Sequence, residues 1–284
     1  MLWTYRRHAV HTRRKMTKNT VIPPNRQLID PDRVGAALFV LSDRHARISG
    51  PWHSHRRLQL LHVSEGALLV ETDAARYVIP PQRGVWVAPG TRHRILSRTP
   101  FWLTTCYIDV DHWDMAPIST CAVSVDRLSD ALLIAVSAFG ETGPNTPAEK
   151  RMVEVLKDCL SALSTFDLVL PIPRGDRLRR LTDQLLTDPA RSGTLAVLAA
   201  EAALSERTAA RLFKSETGLS FGTWRLHLRV QAALAHLAAG SSVTETAYAV
   251  GYSDVSSFIE AFRTVCGQTP YQAMKSRSDA ARER

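Results

Sequence analysis

From Ala36 to about Ile108, short apolar runs alternate with turn residues: "AALFVL", "LQLLHV", "ALLVET", "YVI", "VWVA", "HRILS" and "WLTTCYI". Strands at this spacing predict an antiparallel barrel or sandwich. From Val125 the period lengthens. Leu128, Leu132, Val136 and Phe139 recur at helical spacing, and so do Met152, Leu156, Cys159 and Leu163. With "ETGPNTP" between them they predict a helical hairpin over about 127–139 and 149–164. "LVLPIPRGD" follows and reads as the domain boundary; beyond it the pattern is helical to the end. The predicted fold class is α+β: an N-terminal antiparallel β-barrel with a helical hairpin, then an all-α C-terminal domain.

The helical part repeats itself. "LAVLAAEAALSERTAARLFKSETG" starts at Leu195 and "VTETAYAVGYSDVSSFIEAFRTVCG" at Val243. Leu195 and Val243, Ala199 and Ala247, Ala203 and Gly251, and Ser205 and Ser253 are each 48 positions apart. Phe213 and Phe262, then Gly218 and Gly267, are 49 apart, so the second copy carries one extra residue after the turn. Each copy reads as helix, tight turn, helix, over about 195–216 and 243–266. Small Ala199 and Ala247 let two helices cross closely. Ala203 and Gly251 fall in the turn, and Ser205 and Ser253 are the expected N-caps.

Helical spacing also separates the faces of each second helix. Ala209, Leu212 and Phe213 form the inner stripe of the first, which turns Glu206, Arg207, Ala210, Arg211 and Lys214 outward. Phe258, Ala261, Phe262 and Val265 are the inner stripe of the second, with Asp254, Val255, Ser256, Ile259, Glu260 and Arg263 outward. One solvated helix face would carry no meaning; two in the same helix-turn-helix grammar predict DNA reading. Arg207 and Arg211 suit bidentate contacts to guanine, and Lys214 and Arg263 suit phosphates. Between the copies, "SFGTWRLHLRVQAALAHLAAG" runs from a Ser cap to a Gly stop. About 18 helical residues span roughly 27 Å, near the roughly 34 Å between successive major-groove faces.

Charge supports the division. Of the net +9, the first 26 residues contribute seven cations and no acid, residues 27–171 are near neutral, and residues 172–284 carry an excess of cations. A basic segment beside a neutral domain predicts polyanion binding by one part only. The chain therefore divides into a basic leader (1–26, expected to be disordered, with Met16 an alternative start), a unit at 27–170 and a unit at 171–284. The leader has no signal-peptide apolar core, and no apolar stretch approaches the roughly 20 residues of a membrane span. Cys106, Cys121, Cys159 and Cys266 form no C-x-x-C pair. That argues against a zinc ribbon or disulfide framework and predicts a reducing, cytoplasmic setting.

"LSERTAARLFKSETGLSFGTWRLHLRV" with "VGYSDVSSFIEAFRTVCGQTPYQAM" closely resembles the DNA-binding domain of the AraC/XylS family of bacterial transcription regulators, over about residues 176–275. "HSHRRLQLLHVSEGALLVET" and "GVWVAPGTRHRI" resemble the cupin sensor of one branch of that family. The resemblance implies a cupin domain that binds a small-molecule effector or relays homodimer contacts. It also implies a C-terminal domain that binds double-stranded promoter DNA and recruits or excludes RNA polymerase, at the bacterial nucleoid. Its base-reading positions fall on Arg207, Ala210 and Arg211, then Val255, Ser256, Ile259 and Glu260. The second reader has no cation in its first two turns. It is expected to read through thymine-methyl contacts of Val255 and Ile259, with Glu260 accepting from cytosine.

Metal-dependent cupins place two histidines on one strand, a glutamate shortly after and a third histidine on a later strand. Here His53 and His55 occupy the first two positions and His93 in "PGTRH" the third, but Gln59 stands where the glutamate would be. A neutral amide is a poorer ligand for a hard or borderline cation, although three histidines remain competent for zinc or iron. The parity of 53, 55 and 59 puts these side chains on one face of an unbroken strand. The expectation is that His53, His55, Gln59 and His93 line one cavity that serves sensing, with no metal, no other cofactor and no catalytic residue assigned. The alternative is a metal-dependent cupin enzyme, or a metal sensor, fused to the DNA-binding part. Glu65 and Glu71 lie elsewhere in the strand pattern and supply no obvious general base.

Overall fold

The computed structural model describes residues 29–113, 119–165 and 169–273; the basic leader at 1–26 lies outside the described residues. The first unit contains strands β1 (Leu38–His45), β2 (Ile48–Ser49), β3 (Leu58–Glu65), β4 (Leu68–Thr72), β5 (Ala75–Ile79), β6 (Arg83–Val87), β7 (His93–Ser97), β8 (Phe101–Ile108) and β9 (Cys121–Ser124). Helices α1 (Arg127–Ser137) and α2 (Pro147–Ser161) follow, and then strand β10 (Val169–Pro171). One five-stranded sheet has the order β1-β8-β3-β6-β9 and the other β10-β5-β4-β7-β2; every described pairing is antiparallel.

β3 shows why this sheet pair forms. Leu58 to Val63 are buried without a break, because the strand is covered on both faces. Leu61 and Val63 point between the sheets, into a core with Val70, Ile79, Val87, Phe101 and Leu103. Leu58 and Leu60 point the other way, with Val40, Cys106 and Ile108, against Leu133, Val136, Val153, Leu156 and Leu160 of the helical hairpin. Asp126 caps α1, and a Thr146–Glu149 capping box with Pro147 at the first turn starts α2. The hairpin is therefore a third layer over the outer face of the first sheet. The inward face of α1 is set by Leu133 and Val136, and Leu128 is 58% exposed, outside the stripe its spacing suggests. The packing direction on the sheet selects which of two overlapping stripes is buried.

The C-terminal unit contains α3 (Asp176–Thr187), α4 (Leu195–Glu201), α5 (Glu206–Thr217), α6 (Phe221–Ala238), α7 (Val243–Ala249) and α8 (Val255–Cys266). α6 spans two cores. Its first half joins Trp224 and Leu228 to Leu178, Leu198 and Phe213; its second half joins Val230, Ala233 and Leu237 to Ala247, Phe258 and Phe262. Ser205 caps α5 as expected. α8 is capped by Asp254, not Ser253: the extra residue of the second copy moves the helix start by one, and the Asp254 carboxylate accepts from Ser257 N–H at 2.8 Å.

The stretch "LVLPIPRGD" is not a free linker. Val169, Leu170 and Pro171 form β10, which pairs with Tyr77, Arg76 and Ala75 of β5, and Ile172 N–H donates to Ala74 O at 2.8 Å. Leu170 is buried in the first helical core, and Trp224 Nε1–H donates to Pro171 O at 2.7 Å. Gln231 of α6 donates to Arg76 O of β5 at 3.3 Å, and Val78 packs against the second helical core. The strand pairing draws on backbone groups that hydrophobic periodicity does not register.

Candidate functional site

The first candidate site is the histidine cluster. β3 starts only at Leu58, so the unbroken strand assumed for positions 53, 55 and 59 is absent. His53 instead forms an isolated bridge with His93. The two residues exchange backbone hydrogen bonds, His53 N–H to His93 O at 2.9 Å and His93 N–H to His53 O at 2.8 Å. Gly90 N–H donates to His55 O at 2.8 Å and draws the next segment in. Convergence therefore comes from pairing across two segments and not from strand parity. The ring centroids of His53 and His93 are 4.3 Å apart, and those of His55 and His93 5.2 Å. His55, Gln59 and His93 are buried, while His53 is exposed at the rim.

Each imidazole is oriented by its own backbone. Nδ1–H of His53 donates to Pro51 O at 3.1 Å, that of His55 to Arg57 O at 2.8 Å and that of His93 to Thr91 O at 2.8 Å. A carbonyl oxygen only accepts, so the neutral rings carry the proton on Nδ1 and a lone pair on Nε2. Burial holds the His93 pKa down at about 4, against the Thr91 hydrogen bond, and the neighbouring His53 and His55 push the same way as burial. Burial also lowers the His55 pKa, with Gln59 and Arg57 opposing. The Gln59 amide lies 3.2 Å from His55 Nε2, 3.1 Å from the Thr105 hydroxyl and 2.9 Å from the Tyr107 hydroxyl. The amide oxygen faces His55 Nε2, and the amide nitrogen donates to the Thr105 and Tyr107 hydroxyls; with His55 neutral, turning the amide over would let its nitrogen donate to the Nε2 lone pair.

Sequence reasoning missed Thr105 and Tyr107. Both lie on the inward parity of β8 with Phe101 and Leu103, so polar residues within an otherwise apolar inward set were the available signal. It also missed the rim. The guanidinium carbons of Arg92 and Arg94 lie 4.6 and 4.9 Å from the centre of the Trp52 ring. Glu71 is bound by Arg76 at 2.9 Å and Arg94 at 2.6 Å, so its carboxylate is held in ion pairs.

The second candidate site is the outer face of the two helix-turn-helix units. Arg207, Ala210, Arg211 and Lys214 are all exposed on α5, opposite buried Ala209 and Phe213. Lys214 Nζ donates to Gly218 O at 2.7 Å, which closes the last turn of its own helix. On α8, Ser256, Glu260 and Arg263 are exposed. Val255 and Ile259 are not fully outward as expected: both are half-buried against the core around Phe258 and Phe262. Positions 255, 258, 259 and 262 form one stripe on the helix, so Val255 and Ile259 sit on its shoulder. Only their outer edges remain for a base.

A model of an AraC-like ligand binding domain matches residues 35–120, and a helix-turn-helix domain model matches 198–276. The HTH-type transcriptional regulator NimR of Escherichia coli is 30% identical over 243 residues, covering 85% of this chain and 89% of its own. The chain belongs to the AraC family of transcription regulators. This AraC-family regulator also matches the HTH-type transcriptional regulator RipA of Corynebacterium glutamicum, 36% identical over 100 residues, 35% of this chain and 30% of that protein. Among solved structures, ToxT from Vibrio cholerae aligns at a TM-score of 0.36 and 15% identity, over 84% of this chain and 98% of its own. The ligand-binding domain is the antiparallel sheet pair, and the DNA-binding domain is the helical part. Among the described residues no helix is long and apolar enough to cross a membrane.

Proposed function

We propose that this regulator reads promoter DNA with α5 and α8 and senses a small-molecule effector at His53, His55, Gln59 and His93, without turning it over. Its working units are residues 27–170 and 171–284. The observation that carries the DNA reading is the α5 face, where Arg207, Ala210 and Arg211 are exposed together behind a fully buried Ala209–Phe213 stripe. Arg207 and Arg211 read guanine, and Lys214 exchanges Gly218 O for a phosphate. α8 adds Ser256, Glu260 and the edges of Val255 and Ile259, with Arg263 on the backbone. Because the two readers differ, the sites are asymmetric within each half-site. Footprinting on genomic fragments retained by the protein tests this; symmetric protection without any guanine dependence would defeat it.

The pocket is read as a sensor because, among the described residues, the carboxylates near the histidines are engaged: Glu71 in ion pairs with Arg76 and Arg94, and Asp32, which acts on His55, by Arg56. A thermal-shift screen of small molecules should yield ligands that stabilise the wild type and not His55→Ala. The regulator is further proposed to act as a homodimer, in the bacterial cytoplasm, in contact with RNA polymerase. The dimer reading rests on apolar groups the hairpin leaves uncovered: Leu128 at 58%, Ile134 at 41% and Val155 at 48% exposure. Light scattering that gave a monomer at micromolar concentration, with and without DNA, would remove it.

A further inference from the structure

We propose that the connection between α3 and α4, residues 188–193, is a clasp that fixes the separation of the two recognition helices, so that Arg225, Arg229 and Gly251 select the spacing between the two blocks of bases although none of them reads a base. The proposal rests on the assignment above of α5 and α8 as the two readers. α6 passes from one helical core to the other between Leu228 and Val230. A bend at this junction would swing α8 against α5 and change the distance between the two readers.

Two arginines, one turn apart on α6, reach the same loop at this junction. Arg225 donates to Gly193 O at 2.6 Å and to Arg191 O, and Arg229 Nε–H donates to Pro189 O at 3.2 Å. The carbonyls of alternate loop residues are thus gathered onto one face of the helix. The loop itself belongs to the first unit: Arg191 pairs with Glu201 of α4 at 2.7 Å, and the Asp188 carboxylate accepts from Ala190 N–H at 3.1 Å. The Arg229 guanidinium carbon also lies 5.3 Å from the centre of the Tyr252 ring, in the turn of the second unit. One side chain therefore joins the loop of the first unit, the middle of α6 and the turn of the second. A planar fork of donors holds these directions together; a single ammonium does not.

The second observation is the unequal pair of turns. Ala203 and Gly251 hold the same place in the two repeats, both with left-handed backbone. Ala203 is exposed. A Cβ on Gly251 would meet Ala190 Cα and Arg229 Nη2 at 2.8 Å and Ala190 O at 2.9 Å. The turn of the second unit is therefore pressed onto the loop and onto Arg229, with no room for a side chain between them. Alanine meets the left-handed backbone in the first copy, so what glycine adds in the second is this close approach. The loop has one face on each unit. It holds them apart by a set distance and supports α6 where the helix is bound by neither core alone.

Each base pair advances the groove by about 3.4 Å and turns it by about 35°. A clasped pair of readers cannot follow that step; a pair joined by an unsupported helix can bend toward it. The test takes the site that the full chain selects from a randomised library, then adds or removes one base pair between its two blocks and measures affinity by fluorescence anisotropy. The wild type should lose roughly tenfold or more on either change, the cost of misplacing one block of base contacts. Arg229→Met should cut that loss to about threefold or less, with Arg229→Lys between the two. Both variants should keep the base preference of the α5 block, which a misfolded chain would lose. Arg225→Met, which frees Gly193 O and Arg191 O, carries the same expectation where Arg229→Met does not fold. A wild type that tolerates the changed spacing overturns the clasp and leaves the readers standing. An unchanged spacing preference in folded variants also overturns it, and hands the constraint to the sheet edge at Leu170 and Val78. Selection of a single block removes α8 as a reader, and the proposal with it.

Discussion

His53 and His93 are paired by two backbone hydrogen bonds although 40 positions separate them, and this pair brings the histidine cluster together. The bridge fixes the backbone of both residues and sets their rings 4.3 Å apart, centroid to centroid. It also buries His93 in neutral form beside two other imidazoles.

Acid should therefore loosen the ligand-binding domain. The unfolded chain takes up the His93 proton near pH 6.5, whereas the folded chain does so only near 4. Between these values the unfolded state holds more protons, so stability is full above pH 6.5 and falls as pH drops toward 4. The loss from this group is on the order of 3 kcal/mol. Denaturant melts of chelator-treated protein at pH 7 and pH 4 measure it. His93→Gln should flatten the slope; an unchanged slope would assign the loss to other groups.

Arg211→Ala should relax specificity at one base pair and cost about 1–3 kcal/mol of binding. Binding to a randomised site library, sequenced before and after selection, reads this directly. Uniform weakening across all sequences would make Arg211 a phosphate contact.

Gly251 and Ala203 hold the same left-handed turn, at φ 89° and 55°. A Cβ on Gly251 would meet Ala190 Cα and the Arg229 guanidinium, each at 2.8 Å. Gly251→Ala should thus destabilise the second helix-turn-helix by about 2 kcal/mol or more, through strain and overpacking together. Ala203→Gly should be neutral or stabilising by up to about 1 kcal/mol, since it relieves the left-handed strain. Thermal melts of the two variants should move in opposite directions or leave Ala203→Gly in place.

Trp224→Phe removes the donor to Pro171 O while keeping most of the ring. It should cost about 1–2 kcal/mol and expose the β10 stretch to limited proteolysis near residues 169–175. A cleavage rate equal to wild type would show that the β5–β10 ladder alone holds the connection.

Much of this molecule was legible in the chain. The change of apolar period at Val125 marks the passage from strands to helices, and the 48-residue offset exposes two helix-turn-helix units and their outward arginines. These signals survive because each is local: side-chain period follows directly from backbone geometry. The His53, His55, Gln59 and His93 set was also nameable, but not for the reason that brings it together. An isolated bridge between distant segments does so, and backbone carbonyls, invisible to side-chain patterning, aim the rings. Tertiary packing likewise decided that Val255 and Ile259 lean on Phe258 and Phe262, that Leu128 faces outward, and that the stretch read as the domain boundary contributes a strand to β5. In each case a residue had two acceptable local faces or backbone partners, and only the neighbouring layer, with its unpaired edge or unfilled core, chose between them.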